Sequence, residues 1–274
     1  MDHDETVLDV QCLNIETFMQ QETMRVVQDV SFRIDKGQVL GIVGESGCGK
    51  SLTCMSILGL LPDTARVTQG KILLKGSNLL DSSEKELIQV RRRLLSLVLQ
   101  NPMIAFNPLK TIGSQFIETL RLQGNYTRKQ AAEHAVYCLK EMNLAEPDRL
   151  LRQYPFELSG GMLQRVMIGL AIANQPSLFI ADEPTTALDS VNREHVLNAI
   201  RRIKSAGETA ILLVSHDMNV IEAVADNVIV MNKGKIVESG KTSDVIRNPR
   251  NEYTKLLCES RFLNHHTKEE PRAL

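Results

Sequence analysis

The chain has no tryptophan, few aromatics at 4%, and no excess of either charge: 32 Lys and Arg stand against 33 Asp and Glu, a formal net charge of -1. So even a balance gives no whole-chain basic field, and nucleic acid is not an expected partner. The five cysteines, Cys12, Cys48, Cys54, Cys138 and Cys258, form no C-x-x-C pair and no zinc-ligand spacing. Free thiols in a reducing cytosol are the simplest account. No run of about 18 apolar residues exists, so the chain is not expected to cross a membrane by itself. The first residues, MDHDETVLDV, are acidic and have no basic region ahead of an apolar run, so they do not read as a secretory signal. Internal repeats, low-complexity tracts and sustained heptads are also missing.

What is present is 274 residues of ordinary globular composition, 43% hydrophobic and 24% charged. Apolar, β-branched runs recur at 7–15, 26–34, 39–44, 71–76, 94–100, 178–182, 210–216 and 227–240. VLGIVG, LFIAD and AILLVSH do not alternate, so they read as strands buried on both faces, the mark of a parallel sheet. The last run carries Asn232, Lys233 and Gly234, a hairpin signal. Between 101 and 176 such runs stop. Helical spacing takes over at 111–123, 128–143 and 161–174, with Pro102, Pro108, Pro147 and Pro155 as punctuation. The expected architecture is α/β: one domain over 1–260, its core of 1–100 and 177–246 interrupted by a helical insertion at 101–176. Residues 247–274 read as a short helix and a polar tail.

VLGIVG leads into Gly44, Glu45, Ser46, Gly47, Cys48, Gly49, Lys50 and Ser51, followed by the apolar helix SLTCMSILGLL. This is G-x-x-x-x-G-K-[ST] in the strand–loop–helix setting the motif requires. Such a loop wraps backbone N–H groups around phosphates at a helix N-terminus. Lys50 is the expected contact to the β/γ-phosphates and Ser51 a ligand of Mg²⁺, making ATP and Mg²⁺ the expected cofactors. Cys48 lies beside Lys50 and a helix start, where a lowered thiol pKa, and inhibition by alkylation with protection by ATP, are expected.

LFIAD ends in Asp182 and Glu183. The first would hold Mg²⁺, and the second is placed to polarise the attacking water as general base. His216 ends AILLVSH and would lie near the γ-phosphate if the strands are neighbours. Gln100 ends LLSLVLQ, within reach of Mg²⁺ or the water. A second glycine-rich stretch, ELSGGMLQRVMIGLAIA, places Gly160 and Gly161 just before a helix, although nothing beside them in the chain needs a tight turn. It looks built for close backbone approach.

Together these pieces resemble an ATP-binding cassette (ABC) transporter ATPase over roughly residues 7–260. LSGGM at 158–162 is similar to the family signature LSGGQ, with Met162 in place of glutamine. Gln100 matches the Q-loop, Asp182 and Glu183 Walker B and its catalytic glutamate, Ala187-Leu188-Asp189 the D-loop, and His216 the switch histidine. Phe18 aligns with the aromatic that stacks on adenine. The resemblance implies a P-loop NTPase (RecA-like) core with a mixed sheet plus an inserted helical subdomain, the ABC ATPase fold. It also implies that two cassettes face each other head to tail. Ser159, Gly160 and Gly161 of one would then approach the γ-phosphate held by the other.

NPMIAFNPLKTIGSQFIETL, YPFELSGGMLQR, ADEPTTALD and NPRNEYTKLL resemble the peptide- and nickel-importer branch, and SGGMLQR the D-type nickel import ATP-binding proteins within it. The implied function is energising uptake of nickel or another transition-metal ion or chelate; a dipeptide or oligopeptide importer is the alternative. The implied partners are two membrane permease subunits, an extracytoplasmic solute-binding protein and a sister ATPase, or else a second copy of this chain. The implied place is the cytoplasmic face of the membrane, as a peripheral subunit.

Overall fold

The computed structural model describes residues 6–19, 22–122, 126–186 and 188–266. Ala187 of the matched D-loop and the tail from 267 lie outside the described residues. In chain order, β1 (Thr6–Met19) and β2 (Glu22–Asp35) precede β3 (Val39–Val43), which leads into α1 (Lys50–Leu58). Next come β4 (Ala65–Leu74), β5 (Ser77–Asn78), α2 (Glu84–Arg93) and β6 (Leu95–Val98). The helices α3 (Pro102–Ala105), α4 (Ile112–Leu122), α5 (Arg128–Glu141), α6 (Pro147–Leu150) and α7 (Gly160–Ala173) follow. The chain then returns through β7 (Leu178–Asp182), α8 (Ser190–Ala206), β8 (Ala210–Ser215) and α9 (Met218–Val224). It closes with β9 (Asn227–Asn232), β10 (Lys235–Lys241), α10 (Thr242–Arg247) and α11 (Glu252–His266).

The strands form two sheets. An antiparallel one has the order β2-β1-β4-β5; a mixed one has the order β10-β9-β3-β8-β7-β6, parallel except for β10. The uniformly apolar runs follow from that layering. In β8, Ile211 and Leu213 join the apolar cluster that continues into α4, α5, α7, α8 and α9. Their neighbours Leu212 and Val214 face the cluster shared with α1 and the antiparallel sheet. A strand covered on both faces has no side left for polar residues.

The strands β6 and β7 are adjacent in the sheet although α3 to α7 separate them in sequence. Residues 101–177 thus form a long crossover between parallel neighbours, as parallel pairing requires. Ser83 and Glu86 start α2 with a reciprocal capping box, and Thr127 and Gln130 do the same for α5. The helix α2 buries no residue fully; Leu87 and Val90, with Leu94 at its cap, pack half-buried against the core, a stripe diluted by its charged residues. At 15 residues, α11 is longer than the short helix expected there.

Phe116 on α4 is fully buried and packs at the level of Gly169 on α7. Phe116→Ala should lower unfolding stability by about 3–5 kcal/mol, read as a shift of the urea midpoint at unchanged slope.

Candidate active site

Four parallel strands end on one edge, and each delivers a residue of interest there. After β3 comes the loop 44–49; β7 ends in Asp182, followed by Glu183; His216 follows β8; Gln100 stands two residues past β6. The carboxyl ends of parallel strands are where open α/β sheets bind ligands.

The loop is tightly packed. A Cβ at Gly44 would lie 2.2 Å from the Met231 carbonyl oxygen, so no larger residue fits there without moving β9. Lys50 is only 6% exposed, and its ammonium donates to the Gly44 carbonyl at 2.6 Å and the Glu45 carbonyl at 2.9 Å. Buried charge needs such partners. An ammonium has three donors; the third points to the Cys48 sulfur at 3.9 Å, a weak acceptor that a phosphate oxygen can replace.

Cys48 behaves differently from the sequence expectation. Its side chain is buried toward Gly44 and β9, and that burial raises the thiol above its ordinary value even though Lys50 pulls it down. Desolvation wins because the sulfur is buried in the apolar cluster, although the Lys50 ammonium lies 3.9 Å from it.

Burial likewise raises the Asp182 carboxyl. The Ser51 hydroxyl hydrogen bond lowers it, the Glu183 charge adds to the rise, and Lys50 opposes it. One Asp182 oxygen, Oδ1, is buried without a hydrogen-bond partner. A buried, unpaired carboxylate oxygen beside a serine hydroxyl is the hard oxygen donor set that Mg²⁺ prefers. The residues present therefore fit the ion.

Glu183 has left-handed backbone (φ 52°), and its N–H donates to the Val214 carbonyl at 2.9 Å. Its Oε2 accepts from His216 Nδ1 at 2.7 Å and from the Thr186 hydroxyl at 2.8 Å. The Glu183 side chain is 15% exposed and that of His216 58%, so the imidazole lies at the mouth of the site. Gln100 is exposed at the same edge.

The glycine pair stands apart from this edge. Among the described residues, none of Ser159, Gly160 and Gly161 is hydrogen-bonded to the loop, Asp182 or Glu183. Ser159 is the N-cap of α7, its hydroxyl accepting from the Met162 N–H at 3.3 Å. The Met162 thioether packs against the apolar cluster, so the residue at the usual glutamine position serves the fold. A Cβ at Gly160 would meet nothing within 4 Å, which leaves its backbone open to a visitor. Gly161 has an internal reason: a Cβ there would lie 2.4 Å from Cγ of Asn192. Asn192 is held by Asp189, the N-cap of α8, through its N–H at 2.8 Å and its side-chain amide at 2.6 Å. The Asn192 N–H and side-chain amide also lower the Asp189 carboxyl pKa. Signature and D-loop thus meet within one chain. Phe18 lies on β1 with the Arg66 guanidinium 4.5 Å above its ring.

A sequence model described as ABC transporter matches residues 27–186. The chain belongs to this family. As an ABC transporter ATPase it hydrolyses ATP, with ATP and Mg²⁺ as its cofactors. It is 41% identical over 255 residues, 93% of this chain and 76% of the other, to a probable peptide ABC transporter ATP-binding protein of Sinorhizobium fredii. It is 42% identical over 244 residues, 89% of this chain and 90% of the other, to a metal-staphylopine import system ATP-binding protein of Staphylococcus aureus. Among solved structures, the ABC cassette resembles the dimeric post-hydrolysis state of the ATP-binding cassette MJ0796 bound to ADP and Pi. The TM-score is 0.77 at 28% identity, covering 86% of this chain and 98% of that one. The fold is that of ABC ATPases, as the motifs implied.

Asn192 and Thr186 escape a motif reading. Thr186 has a weak signal, a hydroxyl three residues past the second acid. Asn192 has only its place in the first turn of α8, and its meaning depends on packing against α7. Because Gly161 faces Asn192, Gly161→Ala should lower ATP turnover, and Asn192→Ala in the same chain should recover part of it; no recovery would place the demand for glycine outside this chain. In iodoacetamide labelling near neutral pH, mapped by mass spectrometry, exposed Cys12 should react first and Cys48 far more slowly. Faster reaction at Cys48 would mean that the loop opens readily.

Proposed function

We propose that this chain is the ATP-hydrolysing subunit of an importer that takes up nickel, another transition-metal ion or a metal chelate. The observation that carries the ATPase part is the convergence of Lys50, Asp182, Glu183 and His216 on one strand edge. In this reading residues 44–51 bind the phosphates, with loop N–H groups and the α1 N-terminus facing them. Phe18 stacks on the adenine. Ser51, Asp182 and Gln100 hold Mg²⁺, which neutralises phosphate charge. Glu183 orients the attacking water and takes its proton, its free Oε1 being available while Oε2 is occupied by His216 and Thr186. His216, at the mouth, turns between Glu183 and the γ-phosphate. Ser159, Gly160 and Gly161, together with Asp189, complete the site of a facing cassette; the open backbone at Gly160 supports this. The dimeric state of MJ0796 is a precedent for such pairing. The partner ATPase is a sister subunit, with a second copy of this chain as the other arrangement.

Met103 and Ile104 on α3, Leu109, and the stacked rings of Tyr154 and Phe156 are exposed; Leu109 is exposed to 85% and Ile104 to 74%. The Ile112 N–H bonds to the Gln153 carbonyl at 2.9 Å and brings the two stretches side by side. An exposed apolar patch of this kind supports docking of two membrane permease subunits directly beside Gln100. An extracytoplasmic binding protein would then choose the solute. No helix among the described residues is long and apolar enough to cross a membrane, in keeping with a subunit bound peripherally at the cytoplasmic face. The metal reading is supported by SGGMLQR at the signature and by the metal-staphylopine relative. A peptide importer is the second reading, supported by the peptide-transporter relative at nearly equal identity.

Glu183→Gln should lower turnover roughly 10²–10⁴-fold while ATP binding persists; turnover like that of the unaltered chain would refute the base assignment. Pull-down from native membranes with a non-hydrolysable ATP analogue should recover two permeases, a sister ATPase and a metal- or metallophore-binding protein. A peptide-binding protein in that place would decide for the second reading. Recovery of no membrane partner would overturn the importer.

A further inference from the structure

Helix α11 reaches the phosphate loop through the side chain of Tyr253. Tyr253, in the first turn of α11, places its hydroxyl where the Glu45 N–H donates to it at 2.9 Å, across 208 positions of sequence. That N–H belongs to the peptide joining Gly44 to Glu45. The carbonyl of the same peptide accepts from the Lys50 ammonium at 2.6 Å. A trans peptide is planar, with its N–H and C=O pointing in opposite directions. Holding the N–H therefore fixes the direction of the carbonyl. If the peptide turned over, its N–H would face the lysine charge and repel it.

The helix is itself anchored. Glu238 on β10 accepts from the Arg250 N–H at 2.9 Å and the Asn251 N–H at 3.0 Å, at the residues leading into α11. Thr254, next to Tyr253, is fully buried. The hydroxyl is thus presented from a fixed element.

We propose that Tyr253 is a positioning residue for ATP binding. Its hydroxyl orients the Gly44–Glu45 peptide, and that peptide's carbonyl holds the Lys50 ammonium where the donor now on the weakly accepting Cys48 sulfur can turn to the nucleotide. The inference rests on Lys50 being the phosphate contact.

The test uses the full chain and Tyr253→Phe, which keeps the ring and removes only the oxygen. The KM for ATP, and the Kd for Mg-ATP from calorimetric titration, should rise about three- to tenfold, the size of one lost hydrogen bond. The kcat should stay within about twofold, and the thermal midpoint without nucleotide within about 2 °C. In a Glu45→Pro background, which lacks the donor N–H, Tyr253→Phe should add nothing. Lys50→Ala is run in parallel. Normal ATP binding by Lys50→Ala would remove the phosphate contact on which the inference rests. Impaired binding by Lys50→Ala with an unchanged KM in Tyr253→Phe would overturn the role of Tyr253 alone. So would a rise in KM that persists in the Glu45→Pro background, or one that comes with a large fall in midpoint. The Tyr253→Phe titration decides the matter even if Glu45→Pro does not fold.

Discussion

Lys50 carries a positive charge into a place that water scarcely reaches, and the surrounding structure answers that charge. Two loop carbonyls accept from it, and Asp182 lies close enough to feel its field. Without those groups a buried ammonium would be too costly to keep charged. The loop must then curl tightly enough to aim its carbonyls inward, which leaves no room for a side chain at position 44. The apolar strands β3, β8 and β7 supply the rigid base on which this is built.

A second constraint ties regions distant in sequence. The helices α7 and α8 each begin with an oxygen cap, Ser159 and Asp189, and the two starts touch through Gly161 and Asn192. Two stretches that would face a neighbouring cassette are thereby held in one fixed relation, and a shift of either helix carries the other stretch along.

Much of this was legible in the sequence because it is local. The phosphate loop sits between an apolar strand and a helix, and all of its chemistry lies within eight consecutive residues. The eight apolar runs became strands, and those of the parallel core, covered on both faces, have no choice but to be apolar. The hairpin at Asn232, Lys233 and Gly234 was equally plain. What escaped depends on tertiary packing. The raised thiol of Cys48 is not legible because sequence gives its neighbours, Lys50 and a helix start, but not the apolar cluster in which the sulfur is buried. The pairing of Gly161 with Asn192 and the reach of Tyr253 to Glu45 join residues whose proximity no spacing encodes. Helix α2 is hard to read because its half-buried stripe, Leu87, Val90 and Leu94, stands among charged residues and includes no fully buried one.

The crossover between β6 and β7 has a mechanical consequence. It leaves the sheet at the edge that carries the acids and re-enters at the opposite edge, where β7 begins. Its two roots are therefore unequal. Only Asn101 separates Gln100 from Pro102, which opens α3, so a push on the exposed face of α3 has a very short lever to the reaction edge. Toward the other root α3 packs on α7, so the same push would have to travel along that 14-residue helix before it reaches β7. A push arriving there would act as a trigger at one root and be spread along a packed helix at the other.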